Sequence, residues 1–136
     1  MTKASNILIV DDDEGTLASL GGLLELEGYS VEKARNGREA LDRLGTATEA
    51  PGLILLDLNM PVMDGWQFLT ERAKYAVARA APVVLLSGLP YIPNAEGVAD
   101  FLTKPVNAAR LLACVRRFCG EPNGGISLTA RSEPSP

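Results

Sequence analysis

The chain has 136 residues, 46% of them apolar and 22% charged, with 13 basic against 17 acidic side chains and no histidine, for a net charge of −4. That length suits one globular domain, and the longest near-apolar run, Ala80 to Leu86, is far short of the ~20 residues a bilayer-spanning helix needs. The acidic balance argues against general binding to DNA, and two cysteines without a histidine argue against a zinc site. The opening residues Met-Thr-Lys-Ala-Ser-Asn run straight into a strand-like segment, without the apolar stretch of a signal peptide, so a cytoplasmic protein is expected.

Ile7 to Val10 is an apolar run of four closed by Asp11, the pattern of a strand buried on both faces. Leu17, Leu20 and Leu24 then repeat with helical spacing up to Gly28, and Asp13 and Glu14 suit the positive end of that helix. Gly21-Gly22 in its middle costs about 1 kcal/mol per glycine, so the helix must draw its stability from packing. Tyr29 to Ala34 is a weaker strand, followed after Asn36 by the stripe Ala40, Leu41 and Leu44. A second apolar run, Leu53 to Leu56, ends in Asp57. Met60, Pro61 and Met63 shape the next loop, and Asp64 caps a third helix with Trp66, Leu69, Ala73 and Ala76 on its packed face. A third apolar run, Val83 to Leu86, ends in Ser87, and Asp100 to Thr103 is the second weak strand. Asn107 caps the strongest helix, whose stripe is Ala108, Leu111, Leu112, Val115 and Cys119. Cys114 and Cys119 do not face each other on it and serve as small apolar packers. Residues 120–136 hold three prolines and few apolar side chains, and a disordered C-terminal tail is expected there.

Alternating strands and helices predict an α/β fold, a flavodoxin-like (βα)5 doubly wound parallel sheet of order 2-1-3-4-5. Ligands of such sheets sit beyond the carboxyl ends of strands one and three. Asp11 and Asp12, Asp57, and Ser87, separated by 46 and 30 residues of chain, would therefore share one crevice, which Lys104 enters after the fifth strand. Setting aside Asp11, Asp12, Asp13, Glu14 and Asp57 leaves 12 acids against 13 bases, so the acidity of the chain is concentrated at this crevice. Carboxylates held together repel, and a hard divalent cation with oxygen ligands, Mg²⁺, relieves that repulsion. A lysine and a hydroxyl opposite them suit a phosphoryl group carried on a carboxylate.

Asp11-Asp12, Asp57 within Leu-Asp-Leu-Asn-Met-Pro-Val-Met-Asp-Gly, Ser87-Gly88 and Lys104-Pro105 together resemble the signature of the response-regulator receiver domain, over residues 5–119. The resemblance implies that Asp57 accepts a phosphoryl group from a histidine kinase or a phosphotransfer protein. It implies Mg²⁺ held by Asp12, Asp57 and the Asn59 backbone carbonyl, with Asp11 acting through water. Lys104 would pair with the phosphoryl oxygens, and Ser87 would bond to the phosphoryl group and couple to Phe101 as the switch aromatic. Pro105 would follow a cis peptide bond that holds the lysine in place. The expected protein is a stand-alone bacterial regulator with weak autodephosphorylation, no DNA or membrane partner, and a monomeric state with dimerisation as the alternative. A Mg²⁺-dependent aspartyl phosphohydrolase is the rival, but it would want an aspartate where Asn59 stands. A flavin-binding module and an unphosphorylated receiver scaffold are the other two.

The chain departs from the family pattern between Ser87 and Gly97, where several residues are missing and Pro90 and Pro93 disfavour helix. The fourth helix, between strands four and five, is therefore expected to be shortened or missing. A loop carrying Leu89, Tyr91 and Ile92 would replace it and transmit the signal, with Leu89 shielding the acyl phosphate from water.

Overall fold

A run of four apolar residues can be satisfied only if both faces of its strand are covered, and all three such runs become central strands. The computed structural model describes residues 6–88 and 97–122. In chain order the elements are β1 (Asn6–Val10), α1 (Glu14–Leu26), β2 (Ser30–Ala34), α2 (Gly37–Thr46), β3 (Leu53–Asp57), α3 (Gly65–Arg72), α4 (Ala76–Ala80), β4 (Val83–Ser87), β5 (Val98–Thr103) and α5 (Ala108–Cys119). The five strands form one parallel sheet of order β2-β1-β3-β4-β5, the flavodoxin-like arrangement expected from the sequence.

Strand alternation divides the core in two. Ile7, Ile9, Leu53, Leu55, Val84 and Leu86 pack under α1 and α5, against Leu17, Leu20, Leu24, Leu111 and Val115. Leu8, Val10, Ile54, Leu56, Val83 and Leu85 face the other way, against Ala40, Leu41, Leu44 and Phe68 of α2 and α3. Each leucine so buried contributes roughly 2 kcal/mol of transfer free energy. The weak strands of the sequence are the two edges: β2 and β5 each bury one residue fully, Ala34 and Leu102.

Helix starts follow side-chain chemistry. Asp13, Asn36, Asp64 and Asn107 are all N-caps, and each accepts a hydrogen bond from a backbone N–H three residues on. Asp64 also forms a capping box with Gln67. Asp13 is thus a cap and not a first-turn residue, while Glu14 occupies the first turn and pairs with Arg35 at 2.7 Å. Of the glycine pair in α1, Gly21 lies against the Lys33 stem, where a Cβ would come within 2.8 Å of Cε.

The stripe from Trp66 to Ala76 forms two helices, not one, because the chain turns through Ala73 to Tyr75 between α3 and α4. Arg72 stabilises that break by donating from its buried guanidinium to the carbonyls of Ala78 and Ala81. Trp66 is 40% exposed and is not a core residue. The segment expected to replace the fourth family helix, with Leu89, Tyr91 and Ile92, lies outside the described residues. So does the chain beyond Pro122, which includes most of the expected tail. Gly120 still accepts a 2.6 Å hydrogen bond from the Tyr29 hydroxyl, and Glu121 pairs with Arg116 at 3.5 Å.

Candidate functional site

Parallel strands present their carboxyl ends at one edge of a sheet, and here that edge collects the polar residues that close the apolar runs. β1 leads into Asp11, which stays in the sheet by donating from its N–H to the Ala34 carbonyl at 3.0 Å. Its carboxylate is fully buried, and Oδ1 accepts from the Asp13 N–H at 2.9 Å. β3 ends on Asp57, which is 7% exposed, and Asp12 beside them is exposed. Carboxylate oxygens of Asp11, Asp12 and Asp57 all lie within 4.8 Å of one another, so the crevice inferred from spacing forms.

Lys104 enters from β5. Its backbone N–H donates to the Ser87 carbonyl at 2.7 Å, extending the β4–β5 ladder by one residue. Its Nζ stands 3.0 Å from Asp11 Oδ2 and 3.5 Å from Asp57 Oδ1. The Lys104–Pro105 peptide bond is cis, as the resemblance implied. Ser87 is buried at the end of β4, one residue past Leu86, the register partner of Asp57. The Asn59 N–H approaches Asp57 Oδ1 at 3.5 Å. Phe101, at 38% exposure on the edge strand, lies opposite Leu85 in register and outside the core.

The electrostatics follow from this crowding. Burial pushes the Asp57 carboxyl above the usual carboxylate range, and the Asp11 charge pushes the same way, against the pull of Lys104 and the Asn59 N–H. Burial pulls the Lys104 ammonium down, but its hydrogen bond and charge interaction with Asp11, and then those with Asp57, leave its pKa above the ordinary lysine value. Asp13 is held below its ordinary value by the Thr16 hydroxyl and N–H, consistent with a cap rather than a ligand. Among the described residues, three carboxylates stand with one ammonium that touches two of them, so the site carries excess negative charge and oxygen donors, the set a Mg²⁺ ion takes.

Two residues that support the site escaped the sequence reading as such. Gly65 lies directly against the Asp57 backbone, where a Cβ would come within 2.6 Å of the Asp57 carbonyl, and its N–H donates to Leu58 at 3.0 Å. Gly37 lies equally close to Met63, to whose carbonyl it donates at 2.8 Å. The signal for Gly65 was its fixed place after Asp64 in the motif; nothing local marked Gly37.

A doubly wound sheet of this order, with acids at the ends of strands one and three and a lysine after strand five, defines a CheY-like receiver. The family model of the response regulator receiver domain matches residues 7–116, and the chain belongs to that family, the receiver domain of two-component response regulators. It is 41% identical over 118 residues to the transcriptional regulatory protein GlrR of Escherichia coli K12, covering 83% of this chain and 26% of that one. It is also 41% identical to the transcriptional regulatory protein PrrA of Mycobacterium leprae, covering 96% of this chain and 56% of that one. The chain thus spans about a quarter to about half the length of these curated relatives. Among solved structures, the receiver domain of a sensor histidine kinase from Pseudomonas aeruginosa PAO1 superposes with a TM-score of 0.76 at 25% identity, covering 87% of this chain and 99% of that one. That structure has a magnesium ion coordinated in its active site cleft. Among the described residues, no helix is long and apolar enough to cross a membrane.

Proposed function

We propose that this chain is a Mg²⁺-dependent phosphoacceptor, with Asp57 as the nucleophile. The observation that carries the reading is the meeting of three carboxylates within 4.8 Å, two of them buried, with the Lys104 ammonium in contact with both buried ones. Nothing in the packing of the domain requires such a cluster, and burying like charges together is unfavourable unless a ligand or reaction uses them.

In this reading an Asp57 oxygen attacks the phosphorus of a phosphohistidine on a histidine kinase or phosphotransfer protein. The P–N bond breaks, and its electron pair stays on the imidazole nitrogen. Asp12, Asp57 and the Asn59 carbonyl would hold Mg²⁺, with Asp11 through water; when bound, the ion neutralises charge on the carboxylates and the transferring group. Lys104, released in part from Asp57 as that carboxylate becomes an acyl phosphate, would follow the phosphoryl oxygens, and Ser87 would hydrogen-bond them. Phe101 would respond as the switch aromatic, helped by its place on an edge strand that is only partly buried. Water would release the phosphoryl group slowly. A cytoplasmic regulator that acts by switching a protein partner goes with this reading; the free thiols Cys114 and Cys119 suit a reducing compartment.

The test is labelling by a small acyl phosphate with Mg²⁺. Wild type should take up one phosphoryl group, and Asp57→Asn none. Equal labelling of that variant would refute the nucleophile; turnover of a free phosphate ester would favour the phosphohydrolase instead.

A further inference from the structure

Arg72 is a charged side chain that the site does not use, yet it is only 4% exposed. Its guanidinium donates to Ala78 and Ala81, carbonyls at the end of α4, where a helix leaves acceptors without internal partners. A third donation, at 3.3 Å, goes to the carbonyl of Gly97, 25 residues further along the chain and immediately before β5. Gly97 has φ +88°, and a Cβ there would collide with the guanidinium, so backbone and arginine lie in direct contact.

The strand that begins next has an irregular start. Val98 pairs with Val83, but Asp100 pairs with Val84, so Ala99 is an extra residue in β5. The register is then regular as far as Ser87 opposite Thr103, which brings Lys104 level with its hydrogen bond to Ser87. Without the extra residue, Leu102 would stand opposite Ser87 and Lys104 would sit one residue, ~3.3 Å, further beyond the sheet edge, with the faces of β5 exchanged. β5 is an edge strand on which Leu102 alone is fully buried, so its side chains specify register weakly.

We propose that Arg72 is a positioning residue for Lys104: by gripping Gly97 it pins the bulge at Ala99 and thereby the register in which β5 delivers the lysine to Asp11 and Asp57. The inference rests on the phosphoacceptor reading for its consequence, but the register it assigns is measurable without it. Asp11, Asp12 and Asp57 belong to β1 and β3 and the turn after β1, so they do not depend on this contact. An arginine suits the role because one planar guanidinium reaches carbonyls of two segments at once, which no apolar side chain can do.

The experiment compares the whole 136-residue wild-type chain with Arg72→Met, Arg72→Lys and Gly97→Ala at a temperature where all are folded. Mg²⁺ binding by calorimetric titration should persist or tighten, since the carboxylates stay in place as the ammonium leaves them, whereas Asp57 labelling by acetyl phosphate should fall on the order of tenfold or more in Arg72→Met, because a displaced group loses its effect steeply. Arg72→Lys should recover part of the rate. Exchange of the Lys104 amide hydrogen, bonded to Ser87 in wild type, should accelerate on the order of tenfold while the Leu56 amide of β3 keeps its protection. If Arg72→Met does not fold, Gly97→Ala and Arg72→Lys carry the same comparison. Unchanged labelling and unchanged Lys104 exchange, with only a lower melting temperature, would overturn the proposal and leave Arg72 a packing residue. Absence of labelling in wild type would instead count against the phosphoacceptor reading, with the exchange data still deciding the register.

Discussion

The two edges of the sheet handle buried charge in opposite ways. At the amino edge, Glu27 is 4% exposed and meets Arg116 at 3.4 Å, Arg116 also meets Glu121, and the Tyr29 hydroxyl donates to the Gly120 carbonyl. Those groups satisfy one another and tie the end of α5 to the turn between α1 and β2. At the carboxyl edge, one lysine faces two buried carboxylates with a third beside them, and the balance remains negative. The difference teaches that burial alone does not mark function: the first edge is closed by its own partners, and the second keeps an excess of negative charge that the proposed Mg²⁺ would balance.

The largest effect should therefore come from adding that cation. Mg²⁺ at about one hundred times its dissociation constant should stabilise wild type by ~2.7 kcal/mol, seen as a rise in melting temperature, and the rise should shrink in Asp12→Asn. A melting temperature indifferent to Mg²⁺ would erase the contrast between the edges.

Without metal, the acidic edge should show its cost in pH dependence. The folded state holds the Asp57 proton to higher pH than the unfolded chain does, so stability should fall as pH rises from the ordinary carboxylate range through the elevated Asp57 pKa. Asp57→Asn should flatten that decline and be more stable than metal-free wild type at neutral pH, as judged by urea unfolding at several pH values.

The closed edge makes a smaller, local prediction. Tyr29→Phe should cost about 1 kcal/mol through the lost hydrogen bond, with labelling of Asp57 unaffected. Burial, with the nearby Glu121 charge, pushes the Tyr29 pKa up to about 12. The unfolded chain thus ionises first, and wild type should lose stability as pH climbs from the ordinary tyrosine value towards 12, a loss that Tyr29→Phe should not show.

The smallest effect lies at the carboxyl edge itself, in the loop after β3. Val62 is 79% exposed with φ +68°, a left-handed conformation that a β-branched residue adopts at a cost. Val62→Gly relieves it but gains unfolded-chain entropy, for a net gain on the order of 0.5 kcal/mol in thermal unfolding. A loss of stability instead would show that Val62 packs in a way its exposure does not suggest.

The sequence by itself determined the parts of this protein that depend on local chemistry. Runs of four apolar residues specify doubly buried strands wherever they fall, Asn and Asp cap helices through their own side chains, and a strand-ending acid has one direction to point. From these follow the strands and helices; the rule for doubly wound sheets then sets the strand order and the shared edge of Asp11, Asp57, Ser87 and Lys104, and the motifs on that edge point to the family. Only the tertiary structure decided what depends on distant segments meeting. The third helical stripe breaks into α3 and α4 at Ala73 to Tyr75, where Arg72 reaches carbonyls of Ala78, Ala81 and Gly97 further along the chain. Trp66 looked like core by periodicity, yet α3 leaves it at the surface and buries Phe68 instead. Gly37 and Gly65 matter because Met63 and Asp57 approach them, and no local pattern encodes such an approach. The register of β5 belongs to the same class: the pattern of an edge strand tolerates a slip, and it takes contacts from elsewhere in the fold to hold Lys104 at the carboxylates.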